Sequence, residues 1–157
     1  MFSQQTILKK ARIIISTLIL LLGFSSTGLG WDWKKTPSES DWKKFERWSD
    51  SKKTRRWQDL QKAGLGLDQL SWEWRLAWVK SCAHSTEAWC AVLLQHGLFD
   101  KALIVRAETA TVLGTRFSGT GHPAALRLLA TAYAVQQNQR HGEPLFIQYR
   151  ILDAIQQ

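Results

Sequence analysis

The chain has 157 residues, 45% of them hydrophobic and 22% charged, with 21 Lys+Arg against 13 Asp+Glu and a formal charge of +8. That balance excludes a largely disordered protein, and the length suits one domain. Nine Trp against two Tyr and three Pro is the one unusual feature of the composition.

The chain opens with Lys9, Lys10 and Arg12, then an apolar run from Ile13 to Phe24, then the small residues Ser25, Ser26, Thr27 and Gly28. No acid precedes Asp32. A positive start, an apolar core and a small-residue exit make a secretory signal peptide over residues 1–30, with cleavage after Gly28 or Gly30. Left uncleaved, the segment becomes an anchor, although Ile13 to Gly30 counts only 18 residues and a spanning helix wants ~20. The expectation is an exported protein, periplasmic or secreted. Without residues 1–30 the charge is +5, and residues 31–62 carry most of it, with ten Lys/Arg against six Asp/Glu. Charges this mixed, in an exported chain, argue against a nucleic-acid binder.

Residues 31–66 read as a basic, Trp-rich helical arm. Ser40 or Asp41 is placed to cap a helix in which Trp42, Phe45 and Trp48 recur every third residue. Ser49-Asp50-Ser51 interrupts it and caps a second short helix carrying Trp57 and Leu60, which Gly64-Leu65-Gly66 ends.

Residues 67–157 read as a helical bundle domain. Asp68 is placed to cap a helix with Leu70, Trp74, Trp78 and Cys82 on one stripe and Trp72, Leu76 and Val79 on the next. Ser85 is placed to cap a helix from Thr86 to His96, with Gly97 as its stop. Cys82 and Cys90, an even pair in an oxidising compartment, read as a disulfide that staples these two helices. In the chain-entropy model so short a loop contributes ~2–3 kcal/mol. A zinc site with His84 and His96 is the alternative, but the spacing matches no common pattern, so no metal and no cofactor is expected. Asp100 is placed to cap a helix from Lys101 to Leu113, apolar nearly all round and therefore the buried one. After a loop from Gly114 to Pro123 comes a helix with Leu126, Leu129, Ala130 and Tyr133 inward, closed by Arg140, His141 and Gly142. Pro144 opens the last helix, with Leu145, Phe146, Tyr149, Leu152 and Ile155 inward. No segment alternates as a strand. The fold class expected is all-α: a small disulfide-stapled bundle of about five helices preceded by the Trp-rich arm.

Three features are candidate sites. Trp42, Phe45, Trp48 and Trp57, with Lys43, Lys44, Arg55 and Arg56, suit a surface that binds a protein partner through aromatic faces. The same residues suit anionic membrane, or the rings pack on the bundle with Lys and Arg stems at their edges. Arg116, Ser118, Gly119, Thr120, Gly121 and His122 form a loop before a helix start, able to hold an anion or to serve as a plain connector. Finally, Val105-Arg106-Ala107-Glu108-Thr109 resembles the Glu-Ser segment of lytic transglycosylases, all-α enzymes that cleave the bacterial wall through one glutamate. The resemblance implies a small cell-wall hydrolase with Glu108 as general acid. It covers about five residues, and the family's downstream Gly-Leu-Met-Gln stretch is absent. The leading expectation is a non-catalytic interaction module of the envelope or secreted space, its oligomeric state left open.

Overall fold

Serines start the first three helices. Ser38 begins α1 (Glu39–Glu46): its hydroxyl accepts the Asp41 N–H at 3.2 Å while the Asp41 carboxylate accepts the Ser38 N–H at 3.3 Å. Ser49 caps α2 (Asp50–Lys62) and Ser71 caps α3 (Trp72–Ser81). The computed structural model describes residues 31–140, 143–144 and 146–157, so the expected signal at 1–30 lies outside the described residues. Residues 32–157 form one compact unit.

The expected caps at Asp41, Asp68 and Ser85 start no helix. Asp41 takes the third helical position of α1 rather than its start. Asp68 lies in a single 3-10 turn, Leu67–Gln69, and α3 begins four residues after it. Backbone groups around this turn are engaged by tertiary partners, which makes it a strap rather than a helix start. The Lys101 ammonium donates to the Asp68 carbonyl at 3.2 Å, and the Ser71 N–H donates to the Trp33 carbonyl at 2.9 Å.

The remaining helices are α4 (Ala88–Gly97), α5 (Leu103–Phe117), α6 (Pro123–Ala134) and α7 (Phe146–Gln156), giving seven α-helices among the described residues. Cys82, at the end of α3, and Cys90, in α4, form the disulfide, with Cα atoms 5.4 Å apart. Ser85 does not cap α4. It is buried, its hydroxyl accepts the Glu87 N–H at 3.4 Å, and α4 starts after Glu87 without a side-chain cap. No helix among the described residues is long and apolar enough to cross a membrane.

Helix α5 is central, packed against α3, α4, α6 and α7. It runs on to Phe117, past the loop start expected at Gly114. A Cβ on Gly114 would lie 2.8 Å from the Ala154 Cα, so this glycine lets α5 and α7 approach closely instead of ending a helix.

The last two helices bury different faces from those expected. In α6 the buried residues are Ala125, Leu129 and Ala132, and Leu126 and Tyr133 are exposed. In α7 they are Ile147, Gln148, Ile151 and Ala154, and Phe146, Tyr149, Leu152 and Ile155 point to solvent. Both helices are apolar on two sides, and in α7 the side that carries Ala154, which meets Gly114, turns inward together with Ile147 and Ile151. Helix α6 also ends at Ala134 rather than near Arg140. Asn138, fully buried, donates to the Ala132 carbonyl at 2.7 Å and accepts from Arg106 Nε at 2.7 Å, which turns the chain back. A two-residue antiparallel pairing follows, Gln139 with Pro144 and Arg140 with Glu143, so Pro144 precedes α7 instead of opening it.

Five of the nine tryptophans, Trp33, Trp57, Trp74, Trp78 and Trp89, lie in the core. Trp78 is fully buried, with ring centroids at 6.0 Å from Trp33, 5.0 Å from Phe45, 5.6 Å from Trp57 and 5.3 Å from Trp89. Trp74 joins the cluster 4.7 Å from Trp33. These separations and tilts are those aromatic pairs prefer. The residues before α3 therefore supply one half of an aromatic core whose other half comes from α3 and α4.

Candidate functional site

The expected aromatic surface divides into two groups. Phe45 and Trp57 are core residues, so their rings are not open faces for a partner. Trp42 and Trp48 are half-buried at the surface and covered by cations. The Lys80 ammonium lies 5.9 Å from the Trp42 ring, and the Lys52 ammonium 4.7 Å from the Trp48 ring with the Arg56 guanidinium at 5.8 Å. The Trp42 indole N–H donates to Glu46 at 2.7 Å. Lys43 pairs with Glu39, Arg56 lies 3.7 Å from Asp59, and Lys44 and Arg55 are exposed. Lys53 is buried against this cluster, its ammonium 5.4 Å from the Phe45 ring, and burial pushes its pKa below the ordinary lysine value.

The expected anion loop is tied to its own chain. Arg116 donates to the Cys82 carbonyl at 2.9 Å and to the Ser85 carbonyl, bracing the disulfide turn. The Gly119 N–H and the Ser118 hydroxyl both donate to the Gln157 backbone oxygen, and the Thr120 hydroxyl donates to the Phe117 carbonyl. His122 Nδ1 accepts the Ala125 N–H and so caps α6. Gly119 and Gly121 adopt positive φ, which the turn requires. Glu108 is half-buried on α5 and lines neither of the two clefts described next.

A cleft of about 540 Å³ opens between α2, the strap, α3, α4 and the start of α5. Trp57 from α2 and Leu67 from the strap line it, as do Val92 from α4 and Phe99 from the turn after α4. Val79, Leu93 and Val105 are buried and form its inner wall. Size and lining are those of a ligand cleft: mostly apolar, with a few fixed polar groups.

The fixed polar group is a buried ion pair. Arg75 Nε and Nη2 donate to the two oxygens of Asp100 at 2.6 and 2.9 Å, and Nη1 donates to the Leu70 carbonyl at 2.5 Å. Asp100 also accepts the Ala102 N–H at 2.7 Å. Its carboxylate thus serves the approach to α5, as the sequence suggested, although the helix starts only at Leu103. Arg106 donates to the Asp100 carbonyl at 2.6 Å, and burial pushes its pKa below the ordinary arginine value. These bonds hold one wall of the cleft rigid. At the mouth, Gln61, Asp68, His96 and Lys101 are exposed, and α2 alongside carries five Lys/Arg against two Asp. The charged side chains that line the cleft balance, Asp68 and Asp100 against Arg75 and Lys101, and the excess of cations lies along α2.

A second, more open cleft of about 490 Å³ lies across the strap and shares Asp68, Arg75 and Lys101 with the first. It holds the exposed ring of Trp72 and Glu73, whose carboxylate accepts the Thr36 hydroxyl at 2.8 Å. Burial favours the protonated acid of Glu73. Its own backbone N–H, the Thr36 and Ser71 hydroxyls and Arg75 outweigh that and hold its pKa below the ordinary glutamate value. Glu73 is therefore a carboxylate at neutral pH and not a proton donor.

Of the exposed cleft residues, the sequence marks Asp68 only as a helix cap, His96 only as a possible zinc ligand and Trp72 only as part of an apolar stripe. Arg75 was the available signal, because an arginine between Trp74 and Leu76 in an apolar helix needs a buried partner. Comparison with protein-family models, curated protein sequences and solved structures finds no match to this chain.

Proposed function

We propose that this protein is an exported interaction module that receives an apolar side chain of a protein partner in the cleft between α2, α3, α4 and α5. The cleft itself carries this reading: apolar walls, a rigid ion-paired flank and a mouth open to solvent. The cationic helix α2 beside the cleft favours a partner segment in which the apolar anchor is flanked by acidic residues, since complementary charge steers encounter. The aromatic arm contributes buried Trp57 to the cleft wall and otherwise supports the cleft from within.

A displayed library of random peptides, selected on the immobilised protein, is the probe. Enriched peptides are expected to share one bulky apolar residue with acidic neighbours and to bind less well as salt is raised. Val92 is an exposed cleft residue, so Val92→Asp is expected to weaken a selected peptide at least tenfold without unfolding the protein. Lys43→Glu, on α1 and outside the cleft, is expected to change it little. Absence of enrichment, or equal binding by Val92→Asp, contradicts the proposal.

Export is supported by the sequence of residues 1–30 and by the disulfide, a bond that persists in oxidising compartments. The intact mass from the exported soluble fraction of expressing cells is expected to begin at Leu29 or Trp31 and to gain the mass of a pair of hydrogens on reduction. A full-length species confined to the membrane fraction contradicts cleavage, and free thiols contradict the oxidising compartment.

A further inference from the structure

The fold leaves Trp72 uncovered. The core tryptophans pack ring on ring, Trp48 lies against Phe45, and Trp42 carries the Lys80 ammonium. Trp72 is 45% exposed in the second cleft. Among the described residues no ring or cation lies on its face, and none accepts its indole N–H.

Polar groups of both hydrogen-bonding senses share this cleft with the ring. The Lys34 ammonium, the Asp68 carboxylate and the Gln69 amide are exposed, and their side chains have no hydrogen-bond or ion-pair partner among the described residues. Glu73, which accepts the Thr36 hydroxyl at 2.8 Å, is an acceptor already fixed in position. The cleft therefore offers donors and acceptors together beside one bare aromatic face.

Charge selects among the ligands such a cleft could take. Lys34 and Lys101 offset Asp68 and Glu73, and Arg75 is matched by Asp100. A cationic ligand on the ring would meet two lysines, and an anionic one two carboxylates. A neutral ligand with an apolar face and hydroxyls at its edge meets neither penalty. Pyranose sugars have that form. Their C–H groups rest on the electron-rich face of an indole, and their rim hydroxyls both donate and accept. The volume, about 490 Å³, lies within the ~300–1,000 Å³ of small-molecule sites.

We infer that the second cleft binds a neutral oligosaccharide, with Trp72 as the platform for one sugar ring. Asp68 and Glu73 accept from its hydroxyls, and Lys34 and Gln69 donate to them. This site is independent of the peptide proposed for the first cleft.

Titration of the oxidised protein with cellotetraose, maltotetraose and chitotetraose, followed by the indole N–H resonance of Trp72, tests the inference. At least one of these neutral sugars is expected to shift that resonance saturably. Trp72→Ala is expected to weaken the binding at least tenfold, with helical circular dichroism retained because the position is exposed. Trp72→Phe is expected to keep most of the affinity, and Glu73→Gln to lose several-fold. Val92→Asp, in the first cleft, is expected to leave sugar binding unchanged. The inference is overturned if none of the three sugars moves the Trp72 resonance, or if Trp72→Ala binds as well as the parent. Binding of oligogalacturonate alone overturns the neutral class. A selected peptide that moves Trp72 where no sugar does gives the cleft to the protein partner instead.

Discussion

Replacing Trp78 with alanine is expected to cost about 3–5 kcal/mol, the usual penalty for removing a large aromatic from a close-packed interior. Trp78 is fully buried and touches rings from the segment before α1, from α1, from α2 and from α4. Its removal therefore loosens the attachment of every element before α3. A domain of this size holds ~5–15 kcal/mol of stability, so the loss is a large share of the total. The midpoint of thermal unfolding by circular dichroism is expected to drop by roughly 10 °C or more. Trp72→Ala is the matched control. Trp72 is 45% exposed, and its loss is expected to shift the midpoint by only a few degrees. Equal effects at the two positions would mean that the tryptophan cluster is not the core.

The second large effect is expected at Arg75. Arg75→Met leaves Asp100 buried without its cation and removes the donor to the Leu70 carbonyl. Breaking one side of such a pair costs about 3–5 kcal/mol, mostly from the uncompensated charge left inside. Asp100→Asn strands the guanidinium in the same way but keeps an acceptor for the Ala102 N–H. The double variant Arg75→Met/Asp100→Asn removes both charges. It is expected to be more stable than the sum of the single losses predicts, with a coupling energy of about 1–3 kcal/mol in urea unfolding. Strict additivity would contradict a paired, desolvated geometry.

The inner part of the fold was legible because one periodicity dominates there. Leu70, Trp74, Trp78 and Cys82 recur every four residues and are all buried, and α5, apolar nearly all round, is the central helix. The pairing of Cys82 with Cys90 followed from an even count and short spacing. The faces of α6 and α7 were not legible, because each helix carries two apolar stripes. Phe146, Tyr149, Leu152 and Ile155 are the bulkier set and read as the inward one, yet the close approach of Ala154 to Gly114 turns the Ile147, Ile151 and Ala154 side inward. Gly114 itself read as a stop because a glycine beside Thr-Arg-Phe-Ser-Gly signals a loop, and its packing partner lies 40 residues away. The end of α6 depends on Asn138 meeting Arg106, which no local rule contains. The cleft was hidden for a related reason. Its lining comes from α2, the strap, α3, α4, the turn after it and α5, and each contributes only one to four residues.

The proposed partner enters this cleft and not the outer face of α1. Backbone amide shifts of the oxidised protein, recorded while titrating in a selected acidic-apolar peptide, test that most directly. Saturable shifts are expected at Leu67, Val92, His96, Phe99 and Lys101, with those of Lys43 and Lys44 unchanged. Shifts centred on Trp42, Lys43 and Lys44, with the cleft residues still, would contradict it and return the binding surface to the arm.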